Sequence, residues 1–333
     1  MRTTDTPMRA VLLDGFGGPD VMRVGELPRP VPGPGQVRVR VRASALNRGD
    51  TVQRSGGYPL PPGVTSPLMG IEVAGEVEAC GPGVGTLAVG QRVFGLVSGG
   101  GYAEACLMEE GMAVPMPDGW SFVQAAATPE AFITAHESLL ELGGLRAGQS
   151  VLIHAGGSGI GTACIQVARA VGARVFFTVG TEEKLRRCRE LGGDVGVLRT
   201  ERDFAQEVLA QTEGKGVDVV EDFVGGAALQ RNLSVLKFNG CLLLLGLLEG
   251  MSADLDLKQV VLRRLQLKGM ALRPLPPEEK VAVTRRFRER WMPELAAGRV
   301  RPVIDSTFPM ERVADAHRRM ESNASFGKIV LEV

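Results

Sequence analysis

Ser150-Val151-Leu152-Ile153-His154-Ala155-Gly156-Gly157-Ser158-Gly159-Ile160-Gly161 is the stretch that decides the fold. Four apolar or small residues and a histidine read as a buried strand, the glycines as a turn, and residues 159–171 as a helix. Strand, glycine turn and helix in that order form the setting of a dinucleotide-binding fingerprint. Gly156 is expected to make the tight turn, and Ser158 stands where a second glycine is usual. Gly161 lets the helix pack closely on the strand. Gly157, Gly159 and Ile160 complete the cradle, with amides at the helix N-terminus facing a pyrophosphate.

The next strand bears on which nucleotide is held. A carboxylate about 20 residues beyond the turn accepts hydrogen bonds from an unphosphorylated ribose. Gly180 stands at that distance from Gly161, followed by Thr181, Lys184 and, later, Arg199. Small and cationic residues there suit a ribose phosphate, so the expected cofactor is NADPH. Glu182 and Glu183 lie close by and pull the other way.

Working outward, apolar runs at 151–154, 174–179, 217–222 and 241–246 alternate with helical segments at 159–171, 182–191, 227–236 and 256–265. Such alternation implies a doubly wound parallel sheet. Residues 265–272 read as its last strand, an edge whose unpaired backbone groups something must cover. The first third is different. Val37, Val39, Val41 and Ala43 alternate with Arg38, Arg40, Arg42 and Ser44, the period of a half-buried antiparallel strand. Further strands are expected at 71–79, 92–97 and 102–108 in a barrel-like unit. Beyond 269 come a helix at 277–297 interrupted or kinked near Pro293, a helix at 310–321 and a strand at 328–332. The class is α/β: a β-barrel domain plus a Rossmann doubly wound domain.

The 333 residues are 44% apolar with a formal net charge of zero, which argues against a broad nucleic-acid or membrane footprint. The opening MRTTDTPMRA has no apolar core of a secretory leader, and the longest apolar run, 241–248, is too short to span a bilayer. A cytoplasmic protein is expected. Five cysteines without a CxxC pair and three scattered histidines, His136, His154 and His317, offer no metal cluster.

Further motifs run through the chain in order: Ala43-Ser44-Ala45-Leu46-Asn47-Arg48-Gly49-Asp50, Gly57-Tyr58-Pro59, Gly70-Ile71-Glu72-Val73-Ala74-Gly75, Gly90-Gln91-Arg92-Val93, Ala125-Ala126-Ala127-Thr128-Pro129-Glu130-Ala131 and Gly327-Lys328-Ile329-Val330-Leu331-Glu332. Together they resemble the zinc-free quinone oxidoreductases of the zeta-crystallin group in the medium-chain dehydrogenase/reductase superfamily, most of all the tumour-suppressor-inducible branch. The resemblance implies a GroES-like catalytic domain at 1–125, a Rossmann NADPH-binding domain at 126–268, a return segment at 269–333 completing the first, and a cofactor between the two domains. It also implies no metal, and a homodimer in which the edge strand at 265–272 pairs with the same strand of a second copy. Zinc-dependent members carry a Cys and a His where this chain has Asn47 and Ile71.

Without a Lewis acid, alcohol–ketone chemistry loses its main support, whereas an electron-poor quinone accepts hydride largely by positioning. The resemblance puts Tyr58 near the nicotinamide, as hydrogen-bond donor to a developing oxyanion, with Asn47 and Asp50 bracing the pocket or touching the ribose. Thr134, Phe223, Val224, Gly246, Leu247, Leu248, Phe326, Gly327 and Lys328 are the remaining candidates for cofactor contact. Gly246 and Leu247 stand where ligands meet the carboxyl ends of parallel strands. His154, on a buried strand, reads as a core residue. Two other readings stay open: an enoyl or alkenal reductase with Tyr58 as proton donor, and a nucleotide-binding scaffold or RNA-binding protein without turnover.

Overall fold

A computed structural model describes residues 7–58 and 68–333. The chain divides into two compact units, one of residues 1–130 and 272–333, the other of residues 131–271. The divisions fall a few residues beyond positions 125 and 268.

The first unit opens with β1 (Pro7–Leu13) and β2 (Met22–Pro28), an antiparallel pair. Then come β3 (Gln36–Ala45), α1 (Arg48–Arg54), β4 (Glu72–Cys80), β5 (Arg92–Leu96), β6 (Ala105–Glu109), β7 (Val114–Pro115) and α2 (Phe122–Ala126). β3 follows the alternation read from the sequence up to Ala43: Val37, Val39, Val41 and Ala43 are buried, while Arg40 and Arg42 are exposed; Ser44, expected on the arginine face, is instead buried and donates to the Glu72 carbonyl at 2.8 Å. The strand expected over 102–108 begins only at Ala105, because the backbone at Gly101 and Tyr102 is engaged elsewhere, their amides donating to the carbonyls of Gly70 at 3.0 Å and Met69 at 3.1 Å.

Helix α3 (Pro129–His136) carries the chain into the second unit. There β8 (Ser150–Ile153), α4 (Gly159–Ala170), β9 (Arg174–Val179), α5 (Glu182–Glu190), β10 (Val195–Leu198), α6 (Phe204–Gln211), β11 (Val217–Asp222), α7 (Ala228–Ser234), β12 (Leu236–Leu244), α8 (Leu257–Leu262) and β13 (Gln266–Gly269) follow one another. The six strands are all parallel, in the order β10-β9-β8-β11-β12-β13. Counted from β8 this is 3-2-1-4-5-6, the Rossmann order. Consecutive residues such as Val151, Leu152 and Ile153 are all fully buried, as they must be when helices cover both faces. Two expected helices end early. Leu236 begins β12 rather than closing a helix, and Arg264 adopts a left-handed φ of 53° that ends the turn after α8.

The return segment supplies α9 (Pro277–Ala296), β14 (Ile304–Pro309), α10 (Val313–Glu321) and β15 (Lys328–Glu332). Pro293 does not interrupt the helix: α9 runs unbroken for 20 residues. Phe287, Trp291 and Leu295, spaced by four, are buried on either side of the proline and hold the helix through the single backbone bond it lacks. β15 lies parallel to β14 and antiparallel to β3, giving the sheet order β14-β15-β3-β4-β5-β7, with β6 on the other part of β3. The C-terminal strand is therefore an interior strand of the first unit.

Candidate active site

In the second unit the glycine turn joins β8 to α4 as the sequence places it, with one change. The left-handed residue is Ala155, φ 48°, and not Gly156. Gly156 is needed for space instead, since a Cβ there would meet Phe177 at 3.3 Å and Cys188 at 3.4 Å. Gly161 is stricter: a Cβ would lie 2.4 Å from the Ala155 carbonyl oxygen, so any side chain would push the helix off the turn. Ser158 is the N-cap of α4, and its Oγ accepts the Gly161 amide at 3.0 Å. Gly159 and Ile160, at the first two helical positions, keep amides with no acceptor inside the helix. An anion suits them.

Gly180 follows the last residue of β9, and the Arg199 guanidinium lies over it: a Cβ on Gly180 would be 3.5 Å from Arg199 Nε. The geometry thus brings a cation to the place where a carboxylate would hold an unphosphorylated ribose. Thr181 caps α5 by accepting the Lys184 amide at 3.3 Å, and the half-buried Lys184 extends along the same helix.

At the carboxyl ends of β11 and β12 the chain is held by one polar network. Asp222 Oδ1 accepts the amides of Val224 at 2.7 Å and Gly225 at 3.2 Å, and Asp222 Oδ2 accepts from Asn232 Nδ2 at 3.0 Å. With its amide nitrogen so used, Asn232 offers Oδ1 to His154 Nε2 at 2.8 Å, which places the imidazole proton on Nε2. Nδ1 then accepts from the Thr178 hydroxyl at 3.0 Å. Burial lowers the His154 pKa, so the ring is a neutral link in this frame and not a base facing substrate. Phe223 is buried, and its carbonyl would lie 2.5 Å from a Cβ on Gly246, while Leu247 and Leu248 are exposed. Thr134 is buried on α3.

In the first unit, Asn47 and Asp50 sit together at the start of α1, where Asp50 Oδ2 accepts the Asn47 amide at 2.8 Å and the Tyr102 hydroxyl at 2.9 Å. The Asn47 side chain is spent on other protein groups. Its Nδ2 donates to Glu72 Oε1 at 2.9 Å, and its Oδ1 accepts from Lys328 Nζ at 2.7 Å. Lys328 Nζ also donates to the Leu46 carbonyl at 2.7 Å and Glu72 Oε1 at 2.6 Å. All three ammonium donors are thus used inside this unit. Glu72 Oε2 accepts the Glu130 amide at 2.8 Å. Asn47 and Asp50 accordingly brace α1. Burial raises the Asp50 pKa to about 6, against hydrogen bonds from the Asn47 amide and Tyr102 that favour its ionised form.

Tyr58 follows α1 and is half-buried, with Cε1 3.9 Å from the place a Cβ on Gly49 would take. Its neighbours Pro59 and Pro61 lie outside the described residues. Burial raises its pKa, so the phenol keeps its proton at neutral pH. The residue that sequence reasoning missed is Arg273, whose guanidinium carbon lies 4.5 Å from the centre of the Tyr58 ring. No local pattern marks an arginine so far along the chain, and only the return of the chain to this unit brings the two together. Phe326, whose amide donates to Asp305 Oδ1 at 2.8 Å, and Gly327, φ 94°, set the start of β15.

Among the described residues no three His, Cys, Asp or Glu side chains group to hold a metal ion, and no helix is long and apolar enough to cross a membrane. Asn47, in the place of a zinc-ligating Cys, has both ends of its amide engaged by Glu72 and Lys328.

Comparison with known proteins completes the site's setting. The model of the alcohol dehydrogenase GroES-like domain matches residues 33–118, and that of the zinc-binding dehydrogenase matches residues 159–287. The chain is 31% identical over 334 residues to a quinone oxidoreductase of Rattus norvegicus, covering 99% of each. An Escherichia coli quinone oxidoreductase solved in complex with NADPH superposes with a TM-score of 0.87 at 27% identity, covering 98% of this chain and 100% of that one. The CurK enoyl reductase superposes with a TM-score of 0.86 at 27% identity, covering 98% of this chain and 99% of that one. A GroES-like domain followed by a Rossmann sheet, with full-length likeness to these enzymes, makes the chain a member of the quinone oxidoreductase family within the medium-chain dehydrogenase/reductases.

Proposed function

We propose that this chain is an NADPH-dependent quinone reductase that works without a metal. The observation that carries the cofactor half is Arg199 lying over Gly180, where a ribose-binding acid would otherwise stand. Gly156, Gly157, Ser158, Gly159, Ile160 and Gly161 would cradle the pyrophosphate, and Thr181 and Lys184 would flank the ribose phosphate. Backbone of Phe223, Val224, Gly246, Leu247 and Leu248, with Thr134, would meet the nicotinamide half, and Phe326 and Gly327 would add contacts. When bound, NADPH supplies the hydride. The protein's part is to orient the acceptor and to meet the charge that develops on it. Tyr58 donates a hydrogen bond to the acceptor oxygen, and its raised pKa keeps that donor neutral. Asn47 and Asp50 act through α1, as positioning residues. The quinone as substrate rests on the family's named members.

The second reading, reduction of an enone or alkenal double bond with Tyr58 delivering the proton, is favoured by the likeness to an enoyl reductase. Steady-state rates on quinones, enones and aldehydes with NADPH and NADH separate the two. Quinone turnover several-fold more efficient with NADPH is expected. Turnover confined to enones would replace the first reading with the second, and nucleotide binding without turnover on either would favour a non-catalytic scaffold.

We also propose a cytoplasmic homodimer joined through the edge strand β13. Its support is an apolar surface on and beside that strand: Leu267 is 41% exposed, and Leu257, Val261 and Leu262 on α8 are 64–70% exposed.

A further inference from the structure

Four polar side chains are buried across the sheet of the second unit: Thr178 on β9, His154 just after β8, Asp222 at the end of β11 and Asn232 on α7. Polar groups are costly in such a place unless each finds a partner. These do, and in only one order of donors. Asp222 accepts at both carboxylate oxygens, so Asn232 turns its Nδ2 to Asp222 and its Oδ1 to His154 Nε2, and His154 Nδ1 is left to accept from Thr178. The Phe204 ring, 4.8 Å away and edge-on, fixes the plane of the imidazole. Both ends of this line grip backbone. At one end the Thr178 carbonyl accepts the Gly156 amide at 2.9 Å, in the turn that leads into α4. At the other, Asp222 Oδ1 holds the amides of Val224 and Gly225, and the Val224 carbonyl accepts the Glu249 amide at 2.9 Å, which ties down the loop after β12. Gly225 and Gly226 in that turn have left-handed φ of 66° and 55°, and a glycine pair has little stiffness of its own.

We propose that His154 is a positioning residue: through Asn232 and Asp222 it holds the turn at 222–226, and the loop tied to that turn, in the shape that receives the nicotinamide half of NADPH, while its bond to Thr178 fastens the same line to the turn under the pyrophosphate. This rests on the cofactor contacts proposed above. His154 is buried beneath both turns and acts only through its neighbours. The two halves of the nucleotide are then not received independently, because each fixes one end of a single line. A neutral imidazole suits this task. It carries one donor and one acceptor on a rigid ring, so the proton's place at one nitrogen dictates what the other can accept. An apolar side chain of the same size would be easier to bury, but it would leave Asn232 and the Asp222 carboxylate free to rotate and the glycine turn free to leave its receiving shape. With that shape present in about a tenth of the molecules, affinity for NADPH falls about tenfold.

The order of donors is tested by nuclear magnetic resonance on the full chain with isotope-labelled histidine. The wild-type His154 should carry its proton on Nε2. Asp222→Asn should reverse the line: the new amide still accepts from Val224 and Gly225 but donates to Asn232, whose own amide turns over, and the imidazole proton moves to Nδ1 to meet the Thr178 hydroxyl. A wild-type proton on Nδ1, or a proton that stays on Nε2 in Asp222→Asn, overturns the proposal. The positioning role is tested by titrating NADPH and 2′,5′-ADP, which keeps the adenosine phosphates and lacks the nicotinamide. His154→Phe keeps a flat ring and breaks the line, so it should weaken NADPH about tenfold and 2′,5′-ADP by less than about twofold, while Asp222→Asn, in which every bond has a replacement, should stay within about threefold of wild type for both. In the wild-type protein, whatever the variants do, the Nε2 proton should exchange with solvent more slowly with NADPH bound than with 2′,5′-ADP bound. Equal exchange rates, or equal effects of His154→Phe on the two ligands, refute the positioning role and leave the proposed contacts standing. If wild type binds NADPH no more tightly than 2′,5′-ADP, the proposed nicotinamide contacts themselves fail, and the positioning role fails with them.

Discussion

Replacing Lys328 by Met tests the buried frame beneath α1. Lys328 is 4% exposed and Glu72 fully buried, and the ammonium makes three short hydrogen bonds, to Leu46, Asn47 and Glu72. Methionine fills nearly the same volume but leaves the Glu72 carboxylate with only two neutral donors, Asn47 Nδ2 and the Glu130 amide. Breaking a buried ion pair from one side costs about 3–5 kcal/mol. At about 2–4 °C per kcal/mol for a unit of this size, the melting point should fall by roughly 6–20 °C. The partner change Glu72→Gln removes the charge and keeps hydrogen-bonding capacity. The double variant Lys328→Met/Glu72→Gln should therefore recover more than half of the loss, a coupling of about 2 kcal/mol or more. Thermal unfolding of the four proteins followed by circular dichroism at neutral pH reads this directly. A single variant that melts within about 2 °C of wild type, on the same scale, or a double variant no better than Lys328→Met, would refute the claim that this pair holds the frame.

The other predictions concern chemistry, cofactor, pH and assembly. Tyr58→Phe should lower quinone turnover about tenfold, or about 1.4 kcal/mol, with NADPH binding little changed, and Tyr58→Ala should lower it further. On an enone the two should be nearly equal if the hydroxyl delivers a proton, and no effect on either substrate would remove Tyr58 from the chemistry. Arg199→Ala should weaken NADPH binding by roughly tenfold, as expected for one charge-assisted contact, with NADH binding unchanged in a fluorescence titration; equal losses for both nucleotides would count against the phosphate contact. The Glu221 pKa is raised to about 8 by burial, with Asp222 adding to the shift, above an ordinary value of 4.5. The folded state therefore binds more protons than the unfolded state between those values, so stability falls as pH rises from about 4.5 to about 8. Glu221→Gln should flatten that decline and gain about 3–5 kcal/mol at alkaline pH relative to wild type, while Glu130 keeps a residual slope in the same window; denaturant unfolding at acid and alkaline pH decides it. Leu267→Lys should convert a dimer to a monomer in light scattering, and a wild-type monomer at micromolar concentration would dispose of the interface.

The parallel sheet was legible because its strands are short, unbroken apolar runs bounded by glycine or charge. Arg174–Val179 and Val217–Asp222 fall where the sequence places them. β10 was not legible: Val195-Gly196-Val197-Leu198 is only four residues long and carries a glycine, too little to establish a period. The glycine turn falls between strand and helix where the sequence places it, but the left-handed conformation is on Ala155 and not on Gly156. Local sequence marks Tyr58 by its motif. It cannot mark Arg273, which lies 220 residues from Gln53, nor the union of Asn47 and Glu72 with Lys328, which lies 281 and 256 residues beyond them.

The interior position of β15 also sets an order of events during synthesis. Residues 131–271 form a complete parallel sheet by themselves, with every strand and crossover helix present once β13 has left the ribosome. The first unit has no such independence. Until residues 328–332 emerge, Ala43, Ser44 and Ala45 at the end of β3 lack their β15 partners, and the Glu72 carboxylate, destined for complete burial, has no cation to meet it. The nascent N-terminal third must therefore wait, unfinished, while the later-made nucleotide unit folds ahead of it. During that interval its half-built barrel edge is the surface most exposed to mispairing and to capture by chaperones.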